Sequence, residues 1–162
     1  MNSKRFTTKL LATTALYLGA STIAMAADAV EQVIVTARRV EERLQDVPIS
    51  ITVYNQQQLT NRNVFTAADL AKYTPSLSTN NRFGADKASF AIRGFTQETN
   101  TSPSVGVYFA DVVAPRNLAF TTGGNGGGPG SYFDLENVQV LKGPQGTLFG
   151  RNTTGGAILL VP

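Results

Sequence analysis

The carboxyl-terminal stretch from Glu136 to Val161 most constrains what this chain can fold into. An apolar, strand-like run from Val138 to Leu141 ends at Gly143-Pro144. A compact turn punctuated by glycines follows, and a second apolar run extends from Ala157 to Val161. Short apolar runs bounded by glycine and proline are typical of buried strands. The pattern therefore predicts core-forming segments joined by a tight, glycine-rich turn.

The first 26 residues have the pattern of a secretory signal peptide. A stretch with three basic residues precedes an apolar run from Leu10 to Ile23, and Ala24-Met25-Ala26 forms a small-x-small cleavage site. The apolar run is too short for a membrane-spanning helix. We therefore expect an exported chain whose mature part begins at Ala27, with an uncleaved anchor as the alternative.

Composition excludes several classes of function. The 162 residues include 14 basic and 11 acidic side chains. Because three of the basic residues belong to the predicted signal peptide, the mature part is balanced, and no basic cluster favours nucleic acid. The chain has no cysteine and no histidine, which excludes disulfides, the usual zinc sites and catalysis by Ser-His-Asp or Cys-His groups. We expect no metal, no cofactor and no enzymatic activity.

Residues 27–46 are predicted to form an exposed, flexible arm. They contain one apolar stripe, Val33-Ile34-Val35, followed by a stretch of mixed charge over 38–43. Mixed charge of this kind is typical of a solvated linker. The arm is therefore expected to precede a separate domain over residues 47–162.

The domain over residues 47–162 is predicted to be α+β. Apolar residues alternate or cluster in four short stretches that predict strands, at 49–54, 89–95, 105–109 and 112–114. Two capping boxes predict short helices: Asn55 with Gln58, and Thr66 with Asp69. Polar and glycine-rich stretches, above all 121–131, predict long loops. Short strands mixed with short helices indicate a small α+β domain.

The turn between the last two of these strands is unusual. Ala110-Asp111 stands where a two-residue hairpin favours Asn-Gly or Asp-Gly. Alanine tolerates positive φ poorly, so the geometry of this turn stays open at the level of sequence.

One segment of the arm is suited to binding a partner. It is formed by Glu31, Gln32, Val33, Ile34, Val35, Thr36 and Ala37. An extended, β-branched segment can add as a strand to another protein's sheet, where main-chain hydrogen bonds give affinity and alternate side chains give specificity. The simpler alternative is an ordinary first strand of the domain. The segment lies beside the predicted cleavage site and before a charged stretch, and this position favours partner binding over an ordinary first strand.

Five pieces of the sequence, in order, resemble the plug domain of TonB-dependent outer-membrane receptors. The segment 31–37 resembles the TonB box of that family. The others are Asp46–Val53, Ala68–Ser76, the Ile-Arg-Gly strand Phe90–Phe95, and the closing stretch Leu135–Ile158. The resemblance extends over about residues 31–161, which is nearly the whole predicted mature chain.

The resemblance implies an α+β plug with a small mixed β-sheet, short helices and long loops. Such a plug fills a transmembrane β-barrel and gates the uptake of a scarce solute, such as a ferric siderophore. It also implies a partner, TonB with its inner-membrane energising complex, and a place in the outer membrane for the full-length protein. Because no barrel strands follow in these 162 residues, we expect a fragment that does not transport by itself. The alternative is a free periplasmic plug that binds TonB without transport.

The resemblance also assigns roles to individual residues. Three basic residues are expected to pair with acidic residues of the barrel wall: Arg93, Lys142 and Arg151. For Arg93 and Lys142, placed on apolar strands, the simpler alternative is that their charged ends reach solvent. Six loop residues are expected to contact ligand: Arg82, Gln97, Glu98, Arg116, Asn117 and Phe120. For these, the alternative is a set of generic polar loops.

A secreted hydrolase using paired carboxylates is a rival hypothesis. The acidic residues available to it are Asp69, Asp86, Glu98, Asp111, Asp134 and Glu136. They fall in loops or at helix starts, where capping is the simpler role for a carboxylate. The glycines of the closing stretch do not form a phosphate-binding loop either, because no Gly-Lys-Ser or Gly-Lys-Thr occurs.

Overall fold

The computed structural model of the chain describes residues 32–81, 84, 88–97, 101–114 and 132–162. All of them belong to one unit, Gln32–Pro162. Within these ranges no helix is long and apolar enough to cross a membrane. The predicted signal peptide and the glycine-rich stretch 121–131 lie outside the described residues.

Short strands and short helices follow one another along the described chain. The strands are β1 (Ile34–Val35), β2 (Glu42–Arg43), β3 (Ser50–Asn55), β4 (Leu77–Asn80), β5 (Ser89–Ile92), β6 (Val105–Phe109), β7 (Val112–Val113), β8 (Asn137–Lys142) and β9 (Gly156–Val161). The helices are α1 (Gln56–Asn61), α2 (Ala67–Tyr73) and α3 (Gly146–Phe149), and a 3-10 turn spans Leu44–Asp46. The α+β class predicted from the sequence is confirmed.

A five-stranded mixed sheet organises these elements. Its strand order is β3-β8-β9-β6-β7, and two further pairs, β1-β2 and β4-β5, form separate small sheets. Strand β8 pairs antiparallel with both β3 and β9, whereas β6 pairs parallel with β9. The two apolar runs that the sequence singles out are therefore the neighbouring strands at the middle of the sheet.

Side chains of the central strands alternate between two apolar clusters, as the pleat of a strand requires. Val138 and Val140 face a cluster that α1, α2, β4 and β5 cover. Leu141 and Leu159 face a second cluster that the amino-terminal segment and α3 cover. We call these the helical face and the segment face of the sheet. Both faces are covered, so the middle strands are buried on both sides.

Both predicted capping boxes are present. The Asn55 carboxamide oxygen accepts a hydrogen bond from the Gln58 backbone N–H at 2.8 Å, and the Gln58 Oε1 accepts one from the Asn55 backbone N–H at 3.2 Å. The Thr66 hydroxyl accepts from the Asp69 N–H at 3.3 Å, and α2 ends at Tyr73, with Thr74 as its C-cap. Each box satisfies backbone donors that a helix start leaves without intrahelical partners. The two short helices are thereby encoded locally.

The hairpin β6–β7 turns through Ala110 and Asp111, whose φ angles are +46° and +64°. Positive φ at both central residues is the type I′ geometry that matches strand twist. Alanine in this conformation carries a strain of about 1–2 kcal/mol. The hairpin is thus formed as the sequence predicts, at the expense of a strained alanine.

The described part of the predicted arm differs from the expectation of an exposed linker. Residues 32–46 form the β1–β2 hairpin and the 3-10 turn, and Val35 and Ala37 are 1% and 0% exposed. The physical reason is the segment face, whose leucines would otherwise meet water. The charged stretch 38–43 therefore serves as the turn and second strand of a hairpin.

Candidate functional site

The predicted partner-binding segment lies on the segment face of the sheet. Val35 and Ala37 point into the apolar cluster there, and Val33 packs against it. Ile34 points the other way and is 46% exposed. Glu31 lies outside the described residues, and Gln32 is exposed. The segment therefore shows alternate side chains to solvent while the others hold it on the sheet.

Strand β1 has one occupied edge. Its register with β2 pairs Ile34 with Arg43 and Val35 with Glu42, and the Leu44 N–H donates to the Val33 carbonyl at 3.0 Å. Among the described residues this small sheet contains β1 and β2 only.

A glutamine lies beneath the segment. Gln139, on the middle strand β8, is fully buried. Its Nε2 donates to Asn137 Oδ1 at 2.9 Å and makes a longer contact of 3.4 Å with Thr36 Oγ1. Its Oε1 is also buried and accepts no hydrogen bond from the described part of the chain. The sequence marks this position only as a polar residue inside an apolar run.

Arg39 joins the segment to α3. Its Nε donates to the Leu148 carbonyl at 3.1 Å, and its guanidinium carbon lies 5.1 Å from the centre of the Phe149 ring. The first contact uses a carbonyl near the carboxyl end of α3, and the second is a cation–π contact. Sequence reasoning missed this residue, because Arg38-Arg39 has the composition of a solvated linker.

Helix α3 is in turn fixed to the sheet by Tyr108. The Tyr108 hydroxyl donates to the Phe149 carbonyl at 2.6 Å, and the two rings lie 5.0 Å apart between centres. Tyr108 belongs to the cluster of the segment face. The segment, α3 and β6 are therefore linked through Arg39, Phe149 and Tyr108.

Arg93 lies on a turn, which corrects its predicted place on a strand. Strand β5 ends at Ile92, and Arg93 and Gly94 have φ angles of +53° and +81°. Ile92 and Phe95 bridge across this two-residue turn, with Phe95 N–H donating to the Ile92 carbonyl at 3.0 Å. Gly94 adopts the left-handed conformation readily, and the exposed Arg93 occupies the other central position of the turn. The chain therefore reverses here, and β5 ends three residues before the end of the predicted strand 89–95.

Arg93 and Lys142 form a pair of neighbouring cations. A Cβ placed at Gly143 would lie 3.3 Å from the Arg93 Nη1, which puts the guanidinium beside the end of β8. Burial lowers the pKa of Lys142, and the charge of Arg93 lowers it further. In the described ranges no acidic side chain forms an ion pair with either residue. Arg151 is exposed on the loop before β9, without a side-chain hydrogen bond to the described residues.

The predicted ligand loops are described at a single residue. Gln97 is half-buried, and its Nε2 donates to the Thr101 carbonyl at 2.6 Å. This contact ties the two ends of its own loop together. The other five predicted ligand-contact residues lie outside the described residues: Arg82, Glu98, Arg116, Asn117 and Phe120.

Of the carboxylates considered for a hydrolase, Asp69 has a structural role in the described part of the chain. Asp69 is committed to helix α2: its Oδ2 accepts from the Thr66 hydroxyl at 2.7 Å and its Oδ1 from Lys72 Nζ at 2.9 Å. The hydrogen bond from Lys72, and then that from Thr66, lower the pKa of Asp69 to about 2. A general acid requires a raised pKa. The remaining candidates are exposed or lie outside the described residues: Asp111, Asp134 and Glu136 in the first group, Asp86 and Glu98 in the second.

The lowered pKa of Asp69 makes stability depend on pH. Because its folded-state pKa of about 2 lies below the ordinary value of 3.8, the contribution of Asp69 is complete above pH 4 and is lost as the pH falls toward 2. We expect Asp69→Asn to cost free energy of unfolding at pH 6 and less at pH 2.5. Urea unfolding followed by circular dichroism across this range measures the difference. Asp111→Asn, at an exposed turn, is the matched control, and a pH-independent difference for Asp69→Asn would contradict the expectation.

Comparison with protein families gives a match to the model described as "TonB-dependent Receptor Plug Domain" over residues 43–157. The vitamin B12 transporter BtuB of Vibrio vulnificus is 30% identical over 129 residues, which cover 79% of this chain and 20% of the transporter. The iron-regulated outer membrane virulence protein of Vibrio cholerae is 26% identical over 138 residues, covering 81% and 20%. The chain thus spans about a fifth of the length of the curated relatives it matches.

Solved structures give the same fold. The ferric yersiniabactin uptake receptor FyuA from Yersinia pestis matches 70% of this chain and 17% of its own, with 28% identity and a TM-score of 0.55. The ferripyoverdine receptor of Pseudomonas aeruginosa matches 80% of this chain and 16% of its own, with 20% identity and a TM-score of 0.60. At that lower identity the second likeness concerns the fold alone.

Proposed function

The chain belongs to the TonB-dependent receptor plug family, and we propose that it is the gating part of an outer-membrane active transporter. It binds a scarce solute and couples uptake of that solute to TonB. The observation that carries the proposal is the segment 33–37, whose strand β1 pairs with β2 alone among the described residues and which lies on a domain that matches the plug family. As a member of a receptor family, the chain is not an enzyme.

The proposed partner of the segment is TonB with its inner-membrane energising complex. Strand addition at β1 would give a partner main-chain hydrogen bonds along the strand and the exposed side chain of Ile34. The family name supports this partner. The geometry of β1 supports the mode of binding, because strand addition requires an extended segment of this kind.

The proposed second partner is the transmembrane barrel of the full-length protein. The cation pair Arg93–Lys142 supports this, since a partly buried lysine beside an arginine is stabilised by an acidic partner. Arg151 is proposed for the same role on the basis of the family resemblance. The full-length protein is placed in the outer membrane, as its relatives' names indicate.

The proposed solute is a scarce molecule of the class that the relatives carry by name, vitamin B12 or a ferric siderophore. Six loop residues are proposed to contact it: Arg82, Gln97, Glu98, Arg116, Asn117 and Phe120. For Gln97, the bond to the Thr101 carbonyl supports a role in shaping the loop that presents the other side chains.

Replacing Val35 by proline is expected to weaken TonB binding strongly. Proline removes a backbone donor from the middle of the segment and cannot complete a strand ladder. Isothermal titration of the chain with the periplasmic carboxyl-terminal domain of TonB measures the effect, and we expect affinity to fall at least about tenfold.

The matched control is Glu41→Pro, which places the same residue at an exposed position outside the segment. It should bind TonB like the unmodified chain. Equal binding by Val35→Pro and the unmodified chain would sink the assignment of the segment. Absence of binding by the unmodified chain would sink the proposed partner.

A further inference from the structure

Beyond the assignment of the segment, and resting on the proposed function, we propose that Gln139 is a release element for residues 33–37. Its buried amide sets the position of the segment on the sheet and weakens the attachment enough for the segment to leave. A strand that binds a partner has to be both held and releasable. The side chain that provides this balance lies under the segment rather than in it.

Gln139 occupies the centre of the segment face. On β8 it stands between Val53 of β3 and Leu159 of β9 in the register of the sheet. Both neighbours belong to the apolar cluster that Val35 and Ala37 cover. The amide of Gln139 is fully buried among apolar side chains, and the next residue on the same face of β8 is Leu141. Packing alone would favour an apolar side chain at this position.

The hydrogen bonds of Gln139 are divided between the sheet and the segment. The shorter bond, 2.9 Å, goes to Asn137 on the same strand, and the longer contact, 3.4 Å, reaches the Thr36 hydroxyl. Thr36 is thereby held over the amide with Val35 and Ala37 on either side. If the segment shifted by one residue, an apolar side chain would lie against the amide of Gln139. The side chains next to it in the segment would then exchange their buried and exposed positions. The contact therefore specifies register.

The side-chain oxygen of Gln139 lacks a hydrogen bond from the described residues. Gln139 Oε1 is buried and has no hydrogen-bond donor in the described ranges. A buried acceptor without a partner destabilises the state in which it is buried, and water satisfies it once the covering layer is gone. The closed state is thus weakened relative to the released one. An apolar side chain of the same shape would remove this bias, and the released population would fall on the order of tenfold.

The absence of cysteine from the sequence permits a direct measurement. Val35→Cys places a single thiol at a position that is 1% exposed, so that its reaction with a thiol reagent reports release of the segment. Val64→Cys, also 1% exposed but on the helical face, reports opening of the domain itself. We expect Val35→Cys to react faster than Val64→Cys, because the segment leaves without unfolding of the domain.

Two substitutions then test the amide in opposite directions. Gln139→Met keeps the length of the side chain and removes the polar atoms, so labelling of Val35→Cys should slow about tenfold. Gln139→Glu keeps the shape and adds a charge that water solvates better than the cluster does, so labelling should accelerate at least about tenfold. Circular dichroism verifies that each variant is folded, and the opposite signs protect the test against one variant that fails to fold.

Binding of the TonB carboxyl-terminal domain separates this proposal from the proposed function. If Gln139 controls release of the segment, Gln139→Met weakens TonB binding and Gln139→Glu strengthens it, each in proportion to the labelling rate of Val35→Cys. Labelling that responds as expected while no variant binds TonB supports the release element and overturns the partner. Labelling that is unchanged by Gln139→Met, or equal for the two cysteine positions, overturns the release element, whether or not TonB binds.

Discussion

Replacing Gly156 by alanine is expected to lower the free energy of unfolding by about 3 kcal/mol or more. An added Cβ would lie 2.2 Å from the Leu141 carbonyl oxygen and 2.7 Å from the Ile92 Cδ1. The first of these atoms belongs to the backbone of β8, which cannot move away without opening its pairing with β9. The φ angle of +153° adds strain for any residue with a side chain. Urea unfolding followed by circular dichroism measures the loss.

Gly146→Ala is the matched control for this substitution. Gly146 begins α3, and a Cβ there would meet nothing within 4 Å. Alanine is favoured over glycine in a helix by up to about 1 kcal/mol, so this variant should be as stable as the unmodified chain or more stable. Equal stabilities of the two alanine variants would show that β8 and β9 do not approach each other as closely as the structure indicates.

Replacing Ala37 by glutamate is expected to drive the segment off the sheet. Ala37 is 0% exposed and packs among the apolar side chains of the segment face. Burial of an unpaired charge costs more than the short β1–β2 hairpin contributes, so the segment should detach before the charge is buried. Hydrogen exchange of amides over residues 33–46 should accelerate at least about 100-fold, while exchange in β8 and β9 stays slow.

The same charge placed at Val40 provides the comparison. Val40 lies three residues further on and is 59% exposed, so Val40→Glu should leave exchange over 33–46 close to that of the unmodified chain. Retained protection of the Leu44 amide in Ala37→Glu would contradict the attachment of the segment to the sheet. Lost protection throughout β8 would mean that the segment and the domain unfold together.

Local patterns in the sequence predict much of this fold. The alternation over residues 49–54 specifies β3, and the boxes Asn55–Gln58 and Thr66–Asp69 specify the starts of α1 and α2, since each signal acts within a few residues. The apolar runs of the closing stretch specify β8 and β9 in the same way. The family resemblance adds the mixed sheet as an expectation, which the strand order confirms.

The remaining features depend on residues far apart in the sequence. Arg39 acquires its role from Leu148, 109 positions away, and Thr36 from Gln139, 103 positions away. No local pattern reports such contacts, and the mixed charge around Arg39 favours the opposite prediction of a solvated linker. Ala37 is buried because it covers the segment face, which is formed by strands that lie far from it in the sequence. The site roles of the loop residues remain predictions.

The position of β9 has a consequence for the order in which the protein can mature. In the described chain it is the last strand to be synthesised, yet it lies between β8 and β6 and supplies the pairing for both. Until residues 156–161 have emerged from the ribosome, β6 has no neighbour on that side and the two halves of the sheet are unconnected. The sheet therefore stays open until residues 156–161 are available, and their insertion between β8 and β6 closes it in one step.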